Sequence, residues 1–123
     1  MNSYGKELIL DLHGCNPEYF NRIDIGRYFT RLCELIDMEC HDLHFWDDYG
    51  VPKEECQTDP KTKGTSAVQF IMTSSIVIHT LDLLGSVYVN IFSCKDFDGS
   101  KAADFTVDWF GGRIVQVKDI ERR

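Results

Sequence analysis

The stretch that most limits what this chain can become is residues 66–93, SAVQFIMTSSIVIHTLDLLGSVYVNIFS. It holds three short runs rich in β-branched and aromatic residues, broken by Thr73-Ser74 and by Asp82–Gly85. Breaks of two and four residues join only antiparallel neighbours, because a parallel return needs a crossover of a dozen residues or more. The pattern therefore predicts an antiparallel meander of strands 66–72, 75–81 and 86–93. In the last two runs apolar residues occupy both alternating positions, so both faces of the sheet are expected to be covered, and His79 with them.

The remaining elements fit around that meander. Residues 8–13 (LILDLH) read as a further strand, and 41–46 as another. Ile25, Phe29, Leu32, Leu35 and Ile36 recur at helical spacing over 24–38, with Asp24 as the N-cap candidate. A second helix is predicted over 100–110, closed by Gly111-Gly112, with a last strand over 113–117. Residues 47–65, rich in charge, Gly and Pro, form a long surface loop, a length often tied to function. The order β-α-β-β-β-β-α-β predicts an α+β fold. A mostly antiparallel sheet carries two helices on one face in two layers, and a second copy of the chain covers the other.

With 123 residues and no linker or repeat, the chain reads as one domain, 1–123, large enough for its own core. No run reaches transmembrane length, and the first residues lack the basic start and apolar stretch of a signal peptide. Five cysteines in no paired pattern point to reduced thiols and a cytoplasmic setting. A net charge of −7 argues against nucleic acid and suits a small cationic substrate. Cys40, His41, His44, Asp47, Asp48 and Cys56 invite a metal reading. Their spacing matches no standard zinc pattern, and His41 and His44 have opposite strand parity, so no metal is expected. No glycine-rich phosphate loop or G-x-S-x-G elbow is present.

Hairpin arithmetic then places the polar residues. A two-residue turn at Thr73-Ser74 sets Val68 opposite His79 with Ser66 diagonal to it; the four-residue turn sets Leu81 opposite Ser86 and brings Cys94 beside Ser74. Ser66, His79 and Cys94 then share one face. Two clusters result, Ser74 with Cys94 at one end and Ser66 with His79 further along. Five strand residues span roughly 16 Å, so His79 meets a Ser74 only if a two-fold partner supplies it. Each residue also has an ordinary reading: a hydrogen-bonded strand histidine, an inert small thiol, turn serines.

The stretch from Gly64 to Cys94 resembles the short prokaryotic S-adenosylmethionine decarboxylases, pyruvoyl enzymes made by self-cleavage of a proenzyme. Gly64-x-Ser66 matches the family's G-x-S-G, Ser74 its cleaved serine, Ile78-His79-Thr80 its histidine motif and Phe92-Ser93-Cys94 its cysteine motif. All spacings agree without a gap, and a weaker likeness runs through "DLHGC" and the first helix.

The resemblance implies a carboxy-lyase of polyamine biosynthesis with roles for each of these residues. Ser74 attacks the carbonyl of Thr73, His79 is the processing base and Ser66 holds the intermediate. Cleavage between Thr73 and Ser74 leaves a pyruvoyl cofactor that forms a Schiff base with a substrate amine, and Cys94 is the proton donor. It also implies a homodimer with shared active sites. The substrate is S-adenosylmethionine by family, or ornithine or arginine, with Phe45, Trp46 and Asp82 as substrate-binding candidates. Three positions depart from the pattern. Thr73 stands for a glutamate, Ala67 for a glycine, and Leu83 for the glutamate that grips the ribose. The alternative reading is a non-catalytic, uncleaved homologue acting as a regulatory or binding subunit.

Overall fold

The computed structural model describes residues 3–123. Its elements are β1 (Gly5–His13), α1 (Arg22–Leu35), β2 (Cys40–Trp46), β3 (Gly64–Ile71), β4 (Ser74–Leu81), β5 (Ser86–Ser93), α2 (Gly99–Phe110) and β6 (Arg113–Arg122). Six strands form one antiparallel sheet in the order β2-β3-β4-β5-β1-β6. The α+β class, the meander and the two helices agree with the sequence reading. Among the described residues no helix is long and apolar enough to cross a membrane.

Rows of paired residues show why the sheet has one packed face. Ala67, Ile78, Val89 and Leu10 line up across β3, β4, β5 and β1, as do Gln69, Ile76, Ile91 and Leu8. All are buried, and the two helices pack over them with Ile25, Tyr28, Phe29, Leu32, Ala102 and Phe110. Each fully buried aliphatic side chain contributes about 1.5–3 kcal/mol. Tyr28 and Thr106 join the helices through a buried hydroxyl–hydroxyl bond of 2.7 Å, which satisfies both polar groups inside the core.

The opposite face carries the alternate rows: Ser66, His79 and Tyr88; Val68, Val77, Asn90 and Ile9; Phe70, Ser75, Phe92 and Glu7. Among the described residues nothing covers it. Phe70 is 47 % exposed, Ile120 on β6 is 42 % exposed, and His79 is exposed rather than enclosed. The apolar rows explain why burial on both faces was expected; in one chain only the helix side is buried.

Several boundaries move for identifiable reasons. The N-cap of α1 is Asn21, whose side-chain oxygen accepts from the Asp24 backbone amide while its side-chain Nδ2 donates to the Asp24 carboxylate, so Asp24 sits within the first turn rather than starting the helix. The helix stops at Leu35, because Asp37 takes φ +56° and the Met38 amide turns back to the Cys33 carbonyl. Strand β6 runs on to Arg122, an exposed edge whose charged residues hide its alternation. The loop before β3 is stitched by Asp48, which accepts from the Gln57 amide and pairs with Lys63 at 3.9 Å.

Candidate active site

Register decides what the β3–β4 hairpin presents. Ile71 pairs with Ser74, so the turn residues are Met72 and Thr73, not Thr73 and Ser74. Moving the turn back by one residue shifts every facing pair by two. Ser66 therefore lies directly opposite His79 instead of diagonal to it, and Val68 faces Val77. Met72 is 66 % exposed at the tip while Ser74, the first residue of β4, is buried on the helix side.

The turn is built around Thr73, a β-branched residue at φ +50°. That region costs a non-glycine residue roughly 1–2 kcal/mol. The strained residue directly precedes the Ser74 hydroxyl. That hydroxyl accepts a bond from the Cys94 amide at 3.0 Å, which fixes the end of β5 against the start of β4. The Thr73 hydroxyl donates its proton either to the Met72 carbonyl at 2.8 Å or to the Cys94 sulfur at 3.4 Å. The Thr73 hydroxyl bond, with the Ser74 hydroxyl second and the charge of Lys95 a smaller contribution, holds the Cys94 thiol below its ordinary range. Thr73, Ser74, Cys94 and Lys95 line a cavity of 290 Å³ whose far wall is the α1–β2 turn. Lys95 crosses to that wall, donating to the Asp37 carbonyl and lying 3.5 Å from its carboxylate.

The second cluster lies on the open face. Ser66 Oγ and His79 Nδ1 are 2.7 Å apart, which leaves Nε2 as the ring nitrogen available for other chemistry. Beside them is a cavity of 310 Å³ walled by Trp46, Lys61, Thr62 and Leu81. Trp46 pairs with Ser66 across β2 and β3 and is 55 % exposed, so its ring is free to stack. One chain thus joins Ser66 to His79 and Ser74 to Cys94 and Thr73, but does not bring the two clusters together. Cys94 sits one residue past the end of β5 rather than in the row of Ser66 and His79.

Phe45 and Asp82 fall elsewhere. Phe45, with parity opposite to Trp46, packs against the core under the guanidinium of Arg22, 5.5 Å from its ring centroid. Asp82 lines a cavity of 630 Å³ together with Phe20, Tyr49, Lys63 and the Arg22–Asp47 ion pair, well away from the hairpin tip. Its Oδ1 is buried without a partner, and burial raises the carboxyl above its usual range. The proposed substrate-binding set of Phe45, Trp46 and Asp82 therefore splits among three environments, and only Trp46 borders Ser66 and His79. All five cysteines are free, and the described residues hold no group of three metal-ligating side chains. Burial pushes the Cys15 thiol up to about 11, so the core cysteines are poor nucleophiles.

Residues 6–123 match the family model described as S-adenosylmethionine decarboxylase. The chain belongs to the S-adenosylmethionine decarboxylase family. Its relatives include the S-adenosylmethionine decarboxylase proenzymes of Carboxydothermus hydrogenoformans, 26 % identical over 99 % of this chain and 88 % of that one, and of Geobacillus kaustophilus, 24 % identical over 99 % and 90 %. The crystal structure of the adenosylmethionine decarboxylase from Aquifex aeolicus superposes with a TM-score of 0.76 at 19 % identity, covering 99 % of this chain and 92 % of that one. At that identity the structural likeness establishes the shared fold.

Within this family member, two features escaped sequence reasoning. The contact between the Thr73 hydroxyl and the Cys94 sulfur depends on a turn placed one residue earlier than the polar residues suggest. The Lys95–Asp37 tie joins residues 58 positions apart, and no local pattern signals it. Ser74 is held by its hydroxyl in a cavity beside the Cys94 thiol and directly after a residue at φ +50°, an environment that could hold a group formed from a serine.

Proposed function

We propose that this chain is a proenzyme that cleaves itself between Thr73 and Ser74 and then acts as a decarboxylase. The observation that carries this reading is the hairpin tip, where a buried serine hydroxyl follows a residue at φ +50° inside a cavity that also holds the Cys94 thiol. Ser74 Oγ forms a bond to the Thr73 carbonyl carbon, the Thr73–Ser74 C–N bond breaks, and the hydroxyl proton passes to the Ser74 nitrogen. A base removes the Cα proton of Ser74; the Cβ–Oγ bond breaks and its electron pair leaves with the oxygen as the carboxylate of Thr73. One water enters and one ammonia leaves, giving the pyruvoyl end. That group supplies a ketone that captures a substrate amine and accepts the electrons released with CO₂.

The chain's own residues supply the rest. His79, with Ser66 on Nδ1, is the base, and Ser66 stabilises the developing oxyanion. Cys94 delivers a proton to the product carbon from the cavity wall. Because one chain keeps the two clusters apart and leaves its open face uncovered, we propose that a second copy packs on that face and that each site draws on both copies. Trp46 is the aromatic positioned to stack a nucleobase beside His79. Leu83, 58 % exposed, has no side-chain acceptor for ribose hydroxyls, and Asp82 is turned to a different cavity. Charge-assisted bonds are worth about 1.5–3 kcal/mol each, so a smaller cationic amino acid such as ornithine or arginine competes with S-adenosylmethionine as substrate.

An intact mass spectrum tests the reading. Purified protein should resolve into residues 1–73 and 74–123, the second carrying the pyruvoyl mass and resisting Edman degradation; Ser74→Ala should remain whole. The processed protein should release CO₂ from S-adenosylmethionine, ornithine or arginine offered separately. A single uncleaved species after prolonged incubation would favour the regulatory-subunit reading.

A further inference from the structure

We infer that Thr73 sets the protonation state of Cys94, and that it does so in opposite senses before and after the chain is cut. The inference rests on the self-cleavage reading and goes beyond it to the timing of the thiol's two states. In the uncut chain the Thr73 hydroxyl lies 3.4 Å from the Cys94 sulfur and the Cys94 amide holds Ser74 Oγ at 3.0 Å. A hydroxyl donated to sulfur favours the thiolate. The Cys94 thiol itself has the Met72 carbonyl as an acceptor 3.9 Å from the sulfur.

Cleavage changes the charge at this spot and nowhere else. The Thr73 carbonyl carbon, a few covalent bonds from that hydroxyl, becomes a carboxylate bearing its own oxygen and the former Ser74 Oγ. A full negative charge then arises on the residue that lines the cavity together with the sulfur, and a like charge disfavours the thiolate. The same cut removes the Ser74 hydroxyl. Cys94 therefore becomes a protonated thiol, the form a proton donor needs, only once the cofactor exists.

The other charges around Cys94 stay fixed. On the cavity side these are Asp37, Glu39 and Lys95, with Lys95 tied to Asp37. On the far side, across a cavity of 500 Å³, stand Lys6, Asp96, Asp119 and Glu121, with Lys6 paired to Asp96 at 3.4 Å and Asp119 at 3.2 Å. None is made or lost by the cut, so the new carboxylate is the differential charge.

The experiment is the pH dependence of iodoacetamide alkylation at Cys94, read on the peptide that contains it, in processed wild-type protein and in uncut Ser74→Ala. Both lack the Ser74 hydroxyl, so the comparison reads the cut itself, the new carboxylate together with the pyruvoyl ketone, and the Thr73→Val arms read the hydroxyl separately. The half-point should lie about one pH unit or more higher in the processed protein. In the Ser74→Ala background Thr73→Val should raise it, because the hydroxyl is gone, while the same substitution in processed protein should leave it high, because the carboxylate remains. Circular dichroism confirms that each variant is folded. A split chain whose half-point is unmoved or lower overturns this inference alone. A wild-type chain that never splits overturns the self-cleavage reading and the inference with it.

Discussion

The hairpin tip and the far end of the β3–β4 ladder contain similar side chains held by opposite principles. Ser66 and His79 are a cross-strand pair on an exposed surface, relaxed in backbone and joined by one 2.7 Å hydrogen bond. Ser74 and Cys94 sit at strand ends, tied through a backbone amide and flanked by Thr73 at φ +50°. The first arrangement can be reached by any hairpin in the right register. The second requires the turn, the end of β5 and the α1–β2 wall to be correct together. On the proposed reading, the strained, multi-element tip is the place where the chain is cut and the paired ladder position supplies the base brought to it.

Removing the relaxed pair should give the largest effect short of losing Ser74 itself. His79→Ala should slow cleavage by about 10²–10⁴-fold, the range of a general base, and Ser66→Ala by about 10²–10³-fold if its hydroxyl steadies the oxyanion. Because the two share a hydrogen bond, the double variant should lose less than the product of the single losses. Thermal stability should barely move, since His79 is exposed. Co-refolding His79→Ala with Ser74→Ala chains should restore cleavage in the mixed dimer, read as fragments of the His79→Ala chain. Fully independent losses would show that Ser66 and His79 do not act as a unit. Failure of the mixture to cleave would place the base on the same chain as its serine.

The contrast also explains what was legible in the sequence. Strands β3 to β5 and both helices follow from periodicity, because burial on the helix side forces Ile76, Ile78, Val87, Val89 and Ile91 into alternation. The turn did not follow, because the usual rule puts polar residues at the tip and apolar ones inside. Here Met72 is 66 % exposed and Ser74 7 % exposed. A serine can be buried once an amide such as that of Cys94 meets its hydroxyl, and that partner is 20 residues away. The start of α1 is half visible in the sequence: Asp24 reads as the cap, but Asn21, three residues earlier, carries it. Trp46 and Phe45 were equivalent in the sequence, and only the β2–β3 register assigns Trp46 to the His79 side.

Gly64 is where the two regions depend on one backbone. A Cβ there would lie 1.7 Å from the Thr80 carbonyl oxygen, a distance no side-chain adjustment can relieve. Gly64→Ala must therefore push β3 and β4 apart at the end where Ser66 meets His79. In the uncleavable Ser74→Ala background, so that cutting does not confound melting, it should cost about 1–3 kcal/mol, or roughly 4–12 °C in Tm. With Ser74 intact, cleavage should slow more than it does for an equally destabilising core change such as Ile76→Val, because the Ser66–His79 distance is altered as well. Equal slowing by both would show that Gly64 acts on stability alone.

The smallest effect should come from relieving the strain at the tip. Thr73→Gly removes the cost of a β-branched residue at φ +50°, about 1–2 kcal/mol, and returns part of it through the greater freedom of glycine in the unfolded chain, about 0.5–1 kcal/mol. In the Ser74→Ala background the net gain should reach about 1.5 kcal/mol at most, seen as a higher denaturant midpoint with an unchanged slope. If the strain at Thr73 is released as its carbonyl moves from nitrogen to oxygen, the same relief should slow cleavage by up to about tenfold, since 1.36 kcal/mol of barrier is one power of ten. Thr73→Ser keeps the hydroxyl near Cys94 and keeps a side chain at positive φ, so it should cleave at close to the parental rate. Should Thr73→Gly gain stability yet cleave as fast as the parent, the turn's strain would be a cost of the geometry and not a driving force for the cut.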